Sequence, residues 1–202
     1  MKYIFNFENR EKPIRFNREK LLLSALQKPE QLYYMMDTQY EGIYQAEAME
    51  RRRYYGNNSF QTIEKQSHFR LLEDRKEQIC KALSTLSAQK TSVFRKGFHF
   101  YSEVDSEELV PGDVVFISRG DIVPSDLRIV FSKDLEVDQS IYTGNWQISR
   151  KKSSYNEEQL RPIDITDIPN LCFVGSTVVS GLARGVVIST GSATYLSHLL
   201  CM

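Results

Sequence analysis

From Gln61 to Gln89 the chain carries no proline or glycine, and Phe69, Leu72, Ile79, Leu83 and Leu86 recur at spacings of three, four and seven. Apolar side chains at those intervals share one face of a 3.6-residue helix, so one long amphipathic helix is predicted over 61–90. The preceding residues, 1–60, read as short, charged helices. Asn17 suits an N-cap for REKLLLSALQ, Pro29 stops that helix and opens PEQLYYMMDT, and AEAMERRRYY ends at Gly56.

Past Thr91 the texture changes to β-branched and aromatic runs punctuated by turn signals: VPGD at 110–113, RGD at 119–121, TGN at 143–145 and VSGLARG at 179–185. DVVFIS, LRIVF and GVVIS alternate poorly, which predicts strands covered on both faces, as in a small sandwich or distorted barrel. The polar stretch SRKKSSYNEEQLRP, around 149–162, reads as an excursion loop. The most apolar long stretch, LCFVGSTVVSGLARGVVIST at 171–190, reaches the roughly 20 residues that span a bilayer, but it contains Arg184 and three glycines. Two buried strands joined by a glycine turn account for it better.

Composition narrows the function classes. Lys and Arg total 26, as do Asp and Glu, so no bulk field recruits nucleic acid, and 41% hydrophobic composition is enough for a sizeable core. Cys80, Cys172 and Cys201 are odd in number and far apart, which fits neither a disulfide framework nor a paired-thiol metal site. His68, His99 and His198 share no ligand-like spacing with them. A reducing, cytoplasmic setting is expected, with no signal-peptide core in MKYIFNFENREK and no metal or cofactor. No Walker-type glycine loop and no G-x-S-x-G elbow occurs, and the RGD tripeptide reads as a turn. The basic runs Arg51-Arg52-Arg53 and Arg150-Lys151-Lys152 read as solvated faces or as peripheral contacts with anionic headgroups, where each charge contributes on the order of 1 kcal/mol.

Three segments, ELVPGDVVFISRGDIVPSDLRIV at 108–130, DLEVDQSIYTG at 134–144 and NLCFVGSTVVSGLARGVVISTGSATYLSHL at 170–199, resemble the actuator domain of P-type cation ATPases. That family's pattern runs PGD, GDxxPAD, VDxSxLTGES, then a glycine-rich G-T-x-V-x-G-x-A segment ending in a TG turn. The likeness covers nearly all of residues 91–199, and DLRIVFSKDLEVDQS and LCFVGSTVVSG look most like the magnesium-importing branch. Upstream, EGIYQAEAMERRRYYGNN is similar to the cation-ATPase amino-terminal motif, with Tyr44 in place of the usual hydroxyl cap. The resemblance implies an α+β fold: helices in 1–60, the long helix 61–90, and over 91–202 the actuator's distorted, jelly-roll-like β-sandwich. The amino-terminal helices are expected to form a small lid, and the 61–90 stripe to pack on the sheet or to drive self-association.

The resemblance also bears on chemistry. In the family the TGES glutamate positions the water that hydrolyses an aspartyl phosphate on another domain. Here Thr143 and Gly144 match, but Asn145 stands in the glutamate's place and Trp146 in the serine's. An amide cannot take the water's proton, and losing a positioned base costs roughly 10²–10⁴ in rate. Only SFQTIEKQ stands where the family has its first two membrane helices, and no DKTGT phosphorylation motif occurs. The expectation is a truncated member with no intact catalytic residue, no enzyme on its own. It would be a decayed remnant, a module docking on a full-length P-type pump, or one piece of a split cation transporter.

Overall fold

The computed structural model describes residues 16–60, 73–97, 101–155 and 164–201. Helix α1 (Arg18–Leu26) starts where Asn17 caps it, its side chain accepting from the Lys20 N–H at 2.9 Å. Pro29 opens α2 (Pro29–Met35), where its missing N–H has no partner to lose. After a two-residue strand β1 (Ile43–Tyr44), helix α3 (Gln45–Tyr55) begins at Tyr44 without a side-chain cap and ends at Gly56, at φ 82°. Helix α4 (Lys76–Ala88) follows a 3₁₀ turn at Glu73–Arg75 and buries Ile79, Leu83 and Leu86. Phe69 and Leu72, the rest of the predicted stripe, lie outside the described residues, as do His68 and His99.

The β region comprises β2 (Lys90–Lys96), β3 (Tyr101–Asp105), β4 (Val114–Ser118), β5 (Asp126–Asp138), β6 (Ile148–Arg150), β7 (Leu171–Cys172) and β8 (Thr177–Ser189). A short helix α5 (Ser140–Thr143) separates β5 from β6, and α6 (Tyr195–Leu200) follows β8. The sheet order is β1-β2-β4-β8-β5-β6, with β3 on β2 and β7 on β5; among the described residues only the β1–β2 pair is parallel. Consecutive residues of β8 enter different cores. Val186 and Ile188 join Leu21, Leu32, Met36 and Leu83 under the helices, while Val187 joins Val93, Val115, Ile117, Leu127 and Ile129 within the curled sheet. Both faces of these strands are therefore apolar, which is why the runs do not alternate. The fold is α+β, a distorted sandwich with helices on its outer face.

Three expectations need correcting. VSGLARG is no turn: β8 runs through it, and the turn between β7 and β8 falls at Gly175, φ 82°. Gly181, φ 73°, instead sits where β5 is irregular, and a Cβ there would lie 2.1 Å from the Asp134 carbonyl oxygen. The amino-terminal helices are not a lid, because Leu21, Ala25, Leu32 and Met36 are buried in the main core. Lys20 donates to the Ile188 carbonyl at 2.9 Å, and Arg128 reaches the carbonyls of Ser24 and Gln27 at 3.1 and 2.9 Å.

The third correction concerns the basic runs. Arg51 is fully buried and donates to the carbonyls of Met36 and Pro111 at 3.0 and 2.8 Å and to Glu47. Lys151 is 1% exposed, its ammonium bonded to the carbonyls of Thr166 and Ile168 at 2.8 and 3.2 Å. Each run sends one cation inward to donate to main-chain carbonyls, Lys151 sharing its two with the Gln139 amide and the Leu171 N–H. Arg53, Arg150 and Lys152 stay exposed. The RGD segment is a turn as expected, with the Asp121 carboxylate turned back onto the Ser118 N–H at 2.8 Å.

Candidate functional site: the turn between the fifth and sixth strands

The turn is built from its base upward. Asp138, at the end of β5, accepts from the N–H and hydroxyl of Ser140 at 2.8 and 3.2 Å and so starts α5. Gln139 is buried and donates to the Thr166 carbonyl at 2.9 Å. Ile141 and Tyr142 point inward; the Tyr142 hydroxyl donates to the Val174 carbonyl at 2.6 Å and its ring stacks on Tyr195 with centroids 5.6 Å apart. Four residues thus anchor the helical turn that carries Thr143.

Thr143 donates from Oγ1 to the Asn145 carbonyl at 2.9 Å, closing the tip on itself. Gly144 takes the left-handed conformation, φ 76°, and its N–H bonds the Ser140 carbonyl at 2.8 Å. Glycine is suited to this position because a side chain would be strained at that φ. Asn145 and Trp146 project outward, Trp146 with 74% exposure. The structure brings Thr143, Gly144, Asn145 and Trp146 together at one exposed apex, and no carboxylate is carried by the tip itself.

The contribution of Arg75 was not visible in the sequence. Its guanidinium donates to the Tyr142 carbonyl and lies over Gly144, with its carbon 3.5 Å from where a Cβ would stand. It also pairs with Asp74 at 3.2 Å. The helix α4 is therefore clamped to the turn, across a separation of 67 residues that no local signal reveals.

Beneath the turn lies a buried carboxylate. Asp126 accepts from the N–H groups of Val174 and Tyr195 at 3.2 and 2.6 Å, and burial pushes its pKa up to about 7 despite those two bonds. Tyr142, also buried, is pushed well above its ordinary range, first by desolvation and then by the Asp126 and Tyr195 charges. Asp113, in the VPGD turn, is by contrast paired with Arg95 through bonds of 3.1 and 2.9 Å. Among the described residues no group of three His, Cys, Asp or Glu side chains could hold a metal ion, and no helix is long and apolar enough to cross a membrane.

The family profile of the P-type ATPase actuator domain matches residues 85–201, more than half of the chain. The chain belongs to that family. A magnesium-transporting ATPase, P-type 1, from Escherichia coli K12 is 34% identical over 132 residues, covering 63% of this chain and 14% of the relative. Calcium-transporting ATPase 1 of Schizosaccharomyces pombe is 43% identical over 122 residues, or 60% and 13% of the two chains. Among solved structures, a zinc-transporting PIB-type ATPase in its E2.Pi state aligns over 58% of this chain and 16% of that one, at TM-score 0.43 and 22% identity. This actuator chain therefore spans about one-seventh of the length of the curated relatives it matches.

Proposed function

We infer that this chain works as an actuator module toward a cation-transporting P-type pump, on the cytosolic side of the membrane, and that its turn docks at the phosphorylated aspartate without hydrolysing it. The observation that carries this reading is the pairing of a well-anchored turn with an amide at its apex: Asp138, Gln139, Tyr142 and Arg75 hold the backbone, and Asn145 stands where the family has glutamate. An exposed Asn145 can hydrogen-bond a water but cannot accept its proton. The chain is thus proposed to be non-catalytic by itself, with no cofactor of its own. Magnesium is the proposed cation, on the likeness of DLRIVFSKDLEVDQS and LCFVGSTVVSG to the magnesium-importing branch.

The test follows phosphoenzyme decay. The chain, or its Asn145→Glu variant, is added to a purified magnesium-transporting P-type ATPase and, separately, to a calcium-transporting one. Each pump carries glutamine in place of its own actuator-loop glutamate. The wild-type chain is expected to bind and leave decay slow, whereas Asn145→Glu accelerates it by roughly 10²-fold or more. Equal decay with both proteins bound would remove the reading of the turn. Acceleration by the wild-type chain would instead favour a subunit of a split transporter.

A further inference from the structure

The outer face of the sheet is covered by helices only over part of its width. Where that cover ends, a contiguous set of rings remains open. Arg184 of β8 lies between the rings of Tyr40 and Phe94, its guanidinium carbon 4.0 and 3.8 Å from their centroids. Phe94 meets Tyr101 edge-on at 6.2 Å, and Tyr101 stacks on Phe116 at 6.3 Å with planes 6° apart. Phe131 stands opposite Arg184 on β5. Tyr40, Tyr101 and Phe131 are each more than half exposed.

Arg184 is the unusual member. Among the described residues its guanidinium lies on two rings and within electrostatic reach of Tyr33; no hydrogen bond or ion pair reaches it, and NH1 is buried without a partner. An arginine held by two rings has lost much of its rotamer freedom in advance, and its NH1 donor lacks an acceptor. Close to the same face, Lys96 lies 5.1 Å above the Tyr44 ring, a second cation on an aromatic support. The carboxylate of Glu103 is on β3, two residues beyond Tyr101 and therefore at the rim.

We propose that this aromatic face is a protein-docking surface, and that its partner is a segment bearing a carboxylate flanked by apolar side chains, seated with the carboxylate at Arg184. Charge complementarity selects that occupant: the centre offers a half-buried guanidinium whose NH1 has no partner, and the margin offers Glu103, which repels an acid placed at the wrong end. Tyrosine, phenylalanine and arginine are also the residues that dominate protein interfaces energetically, because they bury much area with few lost rotamers. The surface stands apart from the turn at Thr143–Trp146 and does not depend on the reading of that turn.

The probes are synthetic 12-residue peptides with a central Phe-Glu-Leu or Leu-Asp-Phe, and their Gln and Asn counterparts, titrated into the full chain with chemical-shift and calorimetric readouts. The acidic peptides are expected to bind and to shift resonances of Tyr101, Phe116 and Phe131. The amide counterparts should bind at least tenfold more weakly. Arg184→Gln should abolish that preference, while Phe131→Ser weakens both peptide classes without altering it. Raising salt should weaken the acidic peptides alone. Equal binding of acid and amide, an unchanged preference in Arg184→Gln, or no binding of any peptide overturns the proposal. A concentration-dependent dimer lost in Phe131→Ser would overturn it in favour of a second copy of this chain. Retention on vesicles containing phosphatidylserine, lost in Arg184→Gln, would overturn it in favour of a lipid surface. Arg184→Lys tests folding and geometry together, since it retains the charge and loses the planar stack.

Discussion

Lys151 shows at the residue scale how one position in a basic run differs from its neighbours. Its ammonium is buried against two carbonyls, and burial lowers its pKa to about 8. Arg150, next to it, is exposed and 3.8 Å from Glu136. Lys151→Ala should therefore destabilise the fold by about 2–4 kcal/mol, through the cavity and the loss of two buried hydrogen bonds. Arg150→Ala should leave the urea midpoint nearly unchanged, as exposed pairs do. Equal midpoints for the two variants would show that Lys151 is not held as described. The difference could not be read from Arg150-Lys151-Lys152 itself, because what buries the middle residue is a pair of carbonyls 15 and 17 residues further on.

Among the elements, the long pair β5–β8 decides the shape of the molecule. It bends where Gly181 meets Asp134, a non-glycine residue at φ 49°. Gly181→Ala places a methyl group against backbone on the neighbouring strand, which cannot move without shifting the ladder, in addition to the strain of a positive φ. Gly120→Ala carries only the second cost, since nothing lies within 4 Å of its Cβ position. We expect Gly181→Ala to destabilise by about 2–4 kcal/mol and Gly120→Ala by about 1 kcal/mol, measured by thermal unfolding. Similar losses at both sites would contradict the close approach. Elements whose determinants are local were legible beforehand: the Asn17 cap, Pro29 at the start of α2, Gly56 at the end of α3 and the turns at 110–113 and 119–121. The Thr143–Gly144 turn belongs with them. Gly181 was read as a turn because its determinant is Asp134 on another strand, and the Arg75 clamp on the turn was missed for the same reason.

For the whole molecule, three ionisable groups that the fold desolvates set an unusual dependence of stability on pH. Asp126 holds its proton up to about pH 7 in the folded chain, because burial disfavours the carboxylate, whereas an unfolded chain releases it near 3.8. Between those values the folded state binds more protons than the unfolded one, so stability falls as pH rises, by an amount on the order of 4 kcal/mol. Lys20 and Lys151 behave in the opposite sense. Burial lowers both to about 8 from 10.5, so between these values the unfolded state binds more protons and stability rises with pH. Their combined contribution is lowest between pH 7 and 8, where Asp126 has become charged and both ammonium groups are still charged inside the protein. Urea midpoints measured at pH 5, 7.5 and 9.5 should therefore pass through a minimum at 7.5. Asp126→Asn should flatten the acidic limb, because the amide has no proton to lose, and leave the alkaline rise in place. A maximum near neutrality in the wild-type chain, or an acidic limb unchanged in Asp126→Asn, would mean that Asp126 is solvated and charged in the fold.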